Sequence, residues 1–190
     1  MLSLTLCAGL MLAPIRAPAE TADQASVYSA YVINFMRYAQ WPPPASEEPR
    51  YVIAVLGSPD SAAALRALAT RAGTIRGRPV VVRTLALNAA APAPAEALQA
   101  LRSELGRPHA VFVAASHGAW NEAVIDAAQG RPILTIGVGS EFVENGGMLG
   151  LVQEQGRVGF SANKIAIQRG SVEVSARVMV LARPPRARAG

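Results

Sequence analysis

Side chains that bind a metal ion through nitrogen or sulfur, or that titrate near neutral pH, are few in this 190-residue chain, which contains two histidines and one cysteine. His109 and His117 bracket a predicted strand of about eight residues, which separates them by roughly 25 Å at the rise of a β-strand. A metal centre needs three or four ligands at fixed spacing. We therefore predict no metal site.

Ser116 and His117 form the pair that could support nucleophilic catalysis. They follow the third predicted strand, at the sheet edge where α/β proteins usually bind ligands. Adjacent side chains point apart in an extended segment, and no G-x-S-x-G sequence surrounds the serine. We expect Ser116 to cap the next helix. The chain is predicted not to be an enzyme, and a hydrolase that uses this pair is kept as an alternative.

Gly137-Val138-Gly139 follows the fourth predicted strand and has the form of the start of a dinucleotide-binding sequence. Phe142 stands where the third glycine would be required, so a tight turn explains the two glycines. The chain contains no Gly-Lys-Ser or Gly-Lys-Thr sequence for phosphate binding. We predict no bound cofactor. A small-molecule binder with a cleft near Ser116, Gly137 and Ser140 is a second alternative.

Strands and helices that alternate along the chain must position these residues. Apolar runs predict strands at 51–56, 79–85, 110–113 and 133–136 that are covered on both faces. A hairpin is predicted from 148–153 and 157–163. Helices are predicted at 23–40, after the Ser58 cap, at 96–105 and at 120–129, and 172–182 is predicted as a helix or strand. The order predicts an α/β three-layer sandwich, with a mixed, mostly parallel sheet, a C-terminal antiparallel hairpin and helices on both faces.

The first predicted helix is apolar over more than half of its surface, which is typical of a helix buried on two sides. Its narrower polar strip consists of Ser26, Ser29, Arg37 and Gln40. Packing against the core and one covering element explains this pattern, and a self-association or partner face is the alternative. Trp41-Pro42-Pro43-Pro44 ends the helix, because proline lacks the amide donor.

The formal charge of +5 comes from the ends of the chain. Four arginines lie in a predicted leader or near the C-terminus: Arg16, Arg183, Arg186 and Arg188. Without them, 14 basic residues nearly balance 13 acidic residues. Nucleic-acid binders need a basic face that displaces counterions from phosphates, so we exclude that class of protein.

An apolar run over 2–14, followed by Ala17-Pro18-Ala19, is typical of a signal peptide and is too short to span a membrane. Cleavage after Ala19 would remove Cys7, the only cysteine, so the exported chain could form no disulfide. We expect one mature domain over 20–183, a disordered basic tail over 184–190, and no membrane insertion of the mature chain.

Short motifs in a fixed order link most of the chain to a known family. They are Asn34-Phe35, Trp41-Pro42, Val55-Leu56-Gly57, 109–113, 133–136, Phe142, Gly146-Gly147-Met148, 157–160 with Asn163, Val174-Ser175 and Leu181-Ala182. From about Val27 to Arg183 the chain resembles the YfiR family. The resemblance implies a periplasmic homodimer that binds the periplasmic domain of an inner-membrane diguanylate cyclase and represses it. Cyclic di-GMP and biofilm formation would fall as a result.

Redox control by disulfides, which the resemblance also implies, is not expected here. Members of the family often carry a cysteine just before the histidine of the third strand, where this chain has Pro108. With Cys7 in the predicted leader, the mature chain has no thiol to oxidise.

The motif residues are predicted to be mainly structural. Trp41 would cover the sheet edge, Gly146-Gly147 would supply positive φ angles, and Asn163 would cap the segment that starts at Lys164. The same structural assignment is given to Asn34, Phe35, Pro42 and Gly57. A partner surface should instead expose apolar residues ringed by polar ones. The candidates for it are Ile165, Ile167 and Val172, near Arg169, together with Phe142.

Overall fold

The computed structural model describes residues 18–85, 95–114 and 118–184. Its helices are α1 (Pro18–Tyr38), α2 (Pro59–Ala72), α3 (Ala95–Leu105), α4 (Gly118–Ala128), α5 (Ser140–Glu144), α6 (Lys164–Arg169) and α7 (Ala176–Met179). Its strands are β1 (Ala39–Gln40), β2 (Tyr51–Leu56), β3 (Thr74–Ile75), β4 (Arg78–Thr84), β5 (Ala110–Val113), β6 (Leu134–Val138), β7 (Leu149–Glu154), β8 (Arg157–Ala162) and β9 (Glu173–Val174). The predicted leader lies almost entirely outside these residues, and so does the tail from 185 onward.

The main sheet has seven strands in the order β3-β4-β2-β5-β6-β7-β8. Neighbouring strands from β4 to β7 are parallel, and β7 and β8 form an antiparallel hairpin. Gln155 and Gly156 turn this hairpin with φ angles of 51° and 74°, as a two-residue turn of type I′ requires. The predicted mixed sheet with its C-terminal hairpin is confirmed.

Alternate side chains of the central strands enter two separate cores. Ile53 and Val55 of β2 pack in the core that includes Phe35 of α1 and Leu65 of α2. The side chain of Ala54, between them in sequence, packs in the core formed with α3, α4 and α5. This period of two in a strand that is buried on both faces confirms the three-layer architecture.

Helix α1 packs against α2, and both helices share one core with the strands on the same face of the sheet, so most of the wide apolar surface of α1 is covered within the chain. The side chains of Val32 and Met36 are fully buried. Ser29 was expected on the polar strip, but it is also buried. Its hydroxyl donates to the carbonyl of Ala25 at 2.7 Å, so it needs no hydrogen bond to water. The exposed residues of this helix include polar ones such as Asn34 and Arg37, and they also include Tyr38, which is 43% exposed.

The segment 172–182 is neither one helix nor one strand. Strand β9 pairs with β1 in a separate two-stranded sheet, where Val174 lies opposite Ala39. The Ser175 amide then donates to the carbonyl of Tyr38 at 2.9 Å, and the Ser175 hydroxyl caps α7. In the part of the chain that the structure covers, no helix combines the length and the apolar character needed to cross a bilayer.

Candidate protein-interaction surface

Three aromatic rings close the amino-terminal edge of the sheet. Trp41 donates its indole N–H to the carbonyl of His109 at 2.8 Å. The ring centroids of Trp41, Tyr51 and His109 lie 5.0 to 5.4 Å from one another. Arg78 stacks on the Tyr51 ring at 4.0 Å and hydrogen-bonds its hydroxyl. These contacts place Trp41 over the amino-terminal ends of the central strands β2 and β5.

Both ring nitrogens of His109 are occupied. Nδ1 accepts from the amide of Val52 at 3.1 Å, so Nε2 carries the proton and donates it to the carbonyl of Ala45 at 2.9 Å. Burial lowers the pKa of His109, and the bond to Ala45 opposes this shift. The ring is a neutral link between two strands and a loop. Among the described residues, no three His, Cys, Asp or Glu side chains are grouped to hold a metal ion.

Phe142 is a core residue, and its predicted exposure is wrong. It has no exposed surface. A Cβ atom built on Gly137 or on Gly147 would overlap carbon atoms of the Phe142 ring. The two glycines are therefore needed to make room for the ring, which packs directly against their backbones. This is a packing role, so Phe142 is withdrawn as a partner-binding candidate.

Two of the other motif glycines adopt positive φ angles, 94° at Gly57 and 107° at Gly146. At Gly147 the φ angle is not positive, and that glycine is instead required by its contact with Phe142. Phe35 is buried, with its ring 5.0 Å from that of Phe160. Asn34 is exposed and its side chain has no hydrogen bond to the described residues, so no side-chain contact supports its predicted structural role.

Asn163 fixes the start of α6, as predicted. The Oδ1 atom of Asn163 accepts from the backbone amide of Ala166 at 3.0 Å, and the backbone amide of Asn163 donates to the carbonyl of Met148 at 2.9 Å. Its Nδ2 donates to the carbonyl of Val143 at 3.3 Å. Three bonds from one residue thus hold this short helix against the segments that follow β6.

The orientation of α6 separates two of the residues expected to be exposed together. Ile165 is 61% exposed, whereas Ile167 is only 7% exposed. Each helical residue advances by about 100°, so residues two positions apart face nearly opposite directions. Val172 is also buried, because β9 pairs with β1 directly after it. The expected exposure of Ile167 and Val172 is therefore wrong, and Ile165 and Arg169 remain on the surface.

Ile165 lines two grooves, of about 490 and 640 Å³. Arg169 lines the first groove, and Lys164 and Glu144 line the second. We call this region, with Ile165 at its centre and Lys164 and Arg169 at its rim, the Ile165 surface. Val180 and Leu181 are 83% and 73% exposed. The segment 172–182 was predicted as a helix or strand, and neither prediction indicated that these two residues would be exposed.

The cleft proposed for a small molecule is not supported near Gly137 or Ser140. Gly137 lies against the Phe142 ring. Ser140 lines a cavity of about 160 Å³, which is only about half of the roughly 300 Å³ at the lower end of the range for ligand pockets. Ser116 and His117, on which the hydrolase alternative depends, lie outside the described residues.

Similarity to known proteins indicates the family to which this chain belongs. A crystal structure of a conserved domain protein from Vibrio cholerae O1 biovar El Tor str. N16961 matches with a TM-score of 0.51 and 15% sequence identity, which supports the fold alone. The match covers 84% of this chain and 59% of that one. No curated protein matches the sequence significantly. The model of the YfiR/HmsC-like family matches residues 25–183, and the chain therefore belongs to the YfiR/HmsC-like family.

Proposed function

We propose that this protein is a periplasmic regulator that binds the periplasmic domain of an inner-membrane diguanylate cyclase and represses it. Membership of the YfiR/HmsC-like family supports a regulator of the diguanylate cyclase pathway. Binding would lower cyclic di-GMP, and biofilm formation with it, provided that the protein prefers the inactive state of the cyclase. Only such a difference in affinity can shift the equilibrium between the two states.

The observation that carries the choice of surface is the 61% exposure of Ile165, which lines both grooves. Protein interfaces typically have an apolar centre and a polar rim, and a few central residues dominate the binding energy. Ile165 has the position of such a centre, and Lys164 and Arg169 supply a basic rim. We infer that the Ile165 surface contacts the cyclase, with Ile165 and Arg169 as its main residues.

Charge substitution at Ile165 tests this surface. The Ile165→Glu variant should remain folded, because most of that side chain is in water, and should lose repression. Val81→Glu is the matched control, since Val81 is 39% exposed on the strand β4. Cellular cyclic di-GMP should rise with Ile165→Glu, as it should on deletion of the gene, and stay low with the control. A folded Ile165→Glu variant that represses fully would refute the surface.

The buried neighbour Ile167 provides the opposite control. A charge at Ile167 would enter the core without a partner, so Ile167→Glu should unfold the protein and lose repression for that reason. Circular dichroism distinguishes this loss from the loss of binding expected for Ile165→Glu. We also propose a mature domain over 20–183 that forms a homodimer, which light scattering on the purified mature chain tests directly.

A further inference from the structure

A cavity at the amino-terminal edge of the sheet brings two arginines together. Its walls come from the loops that precede β2, β5 and β6, and its volume is about 270 Å³. The residues that matter for its chemistry are Arg107, Arg131, Glu48, Pro44, Pro108 and Pro132. We call it the two-arginine cavity. It lies at the end of the sheet opposite to the carboxyl edge, where ligands of α/β proteins are usually found.

The guanidinium groups of this cavity lack an acidic partner in the described part of the chain, where no carboxylate lies within 4.0 Å of either one. Arg131 gives one N–H to the carbonyl of Ala127 at 3.1 Å, at the C-terminal turn of α4. Arg107 has no hydrogen bond to the described residues. Each guanidinium has five N–H donors, so most of them are left for a ligand.

The two positive charges are close enough to repel each other. Burial lowers the pKa of Arg131, and the charge of Arg107 lowers it further. This repulsion between two positive charges costs free energy that a bound anion would offset. Each guanidinium also suits a carboxylate geometrically, because its two parallel N–H donors match the two carboxylate oxygens.

The remaining walls define the class of anion. Pro44, Pro108 and Pro132 present apolar surface, which favours a ligand with an apolar body. Glu48 adds one negative charge to the wall, so the three ionised groups sum to +1 and suit a monoanion better than a phosphate or sulfate dianion. We propose that the two-arginine cavity binds a compact aromatic or aliphatic carboxylate. Its carboxylate lies against Arg107 and Arg131, and its apolar body packs on the prolines.

Benzoate is the probe, and benzamide, which has nearly the same shape and no charge, is its control. Titration of the purified mature protein, followed by NMR or calorimetry, should show saturable benzoate binding that is at least tenfold tighter than benzamide binding, since hydrogen bonds between charged groups are the stronger ones. Equal binding of the two compounds would overturn the proposal, and so would phosphate binding as tight as benzoate binding or an absence of benzoate binding.

Three variants assign the effect to named residues. Arg107→Gln should weaken benzoate binding about tenfold without unfolding the protein, because Arg107 is exposed and has no hydrogen bond to lose among the described residues. Glu48→Gln should tighten binding by removing the like charge. Arg102→Gln changes an exposed arginine of α3 outside the cavity and should have no effect. Unchanged affinity in Arg107→Gln would overturn the proposal, as would a loss in Arg102→Gln of the same size as in Arg107→Gln. None of these results depends on the cyclase.

Discussion

The contact between Gly137 and Phe142 predicts that Gly137→Ala lowers the stability of the protein, although glycine-to-alanine changes in strands ordinarily raise stability slightly. Gly137 lies in β6 and has no positive φ angle. In a strand interior, alanine is normally favoured over glycine by roughly 0.5–1 kcal/mol. Here, however, the new Cβ would overlap Cγ and Cδ2 of the Phe142 ring and lie 2.7 Å from Cδ1. Gly137→Ala should therefore destabilise the protein.

The expected size follows from overpacking of a filled core, which typically costs about 1–3 kcal/mol. This exceeds the gain in strand propensity, so the net effect is a loss. For a domain of this length, 1 kcal/mol shifts the melting temperature by about 2–4 °C, and after the gain in strand propensity is subtracted we expect a fall of up to about 10 °C. Thermal unfolding followed by circular dichroism measures it.

A double-mutant cycle with Phe142→Ala isolates the contact. Phe142→Ala alone should cost about 3–5 kcal/mol, but it removes the ring atoms that a methyl group introduced on Gly137 would overlap. Phe142→Leu would not serve, since leucine keeps a Cγ atom. The two losses should therefore be less than additive, by about 0.5–3 kcal/mol. Additive losses would refute the reasoning. For Gly147→Ala the rescue should be partial, because its Cβ also approaches the backbone oxygen of Phe142 at 2.7 Å.

Further predictions concern the sheet edge, the cap of α6 and redox state. The pKa of His109 is lowered in the folded chain. Its contribution to stability is therefore present above its ordinary pKa of about 6.5 and is lost as the pH falls through the lower folded-state value. The urea midpoint of unfolding should fall on acidification, and it should fall by less in the His109→Gln variant. Trp41→Phe should cost about 1 kcal/mol in the same assay, because the His109 carbonyl keeps its second bond, from the amide of Leu134. Asn163→Ala should cost about 0.5–2 kcal/mol, measured against Asn34→Ala as an exposed control. The melting temperature of the mature protein should be the same with and without reductant, since residues 8–190 contain no cysteine; a shift would show that Cys7 is retained.

Features set by neighbouring residues were predictable from the sequence. The buried strands follow from continuous apolar runs, and Gln155-Gly156 has the chemistry of its turn. The caps Ser58 and Asn163 are polar residues placed directly before helices, where their side chains can accept from backbone amides.

Features set by distant packing were not predictable in this way. The pairing of β1 with β9 joins two-residue strands that are far apart in sequence, and it buries Val172. Arg107 and Arg131 lie on different loops and meet only because β5 and β6 are neighbours in the sheet. The wrong prediction that Ile167 is exposed has a different cause, because helical periodicity alone shows that Ile165 and Ile167 face nearly opposite sides of the helix.

Lys164 is the only lysine of the chain, and it is exposed as the first residue of α6, next to Ile165. Amine-reactive reagents will therefore modify one side chain, on the Ile165 surface, in addition to the terminal amine. A fluorophore or cross-linker attached there would report directly on whatever docks on that surface. Immobilising the protein on a sensor through Lys164 would instead hide binding, because it would turn the Ile165 surface toward the support.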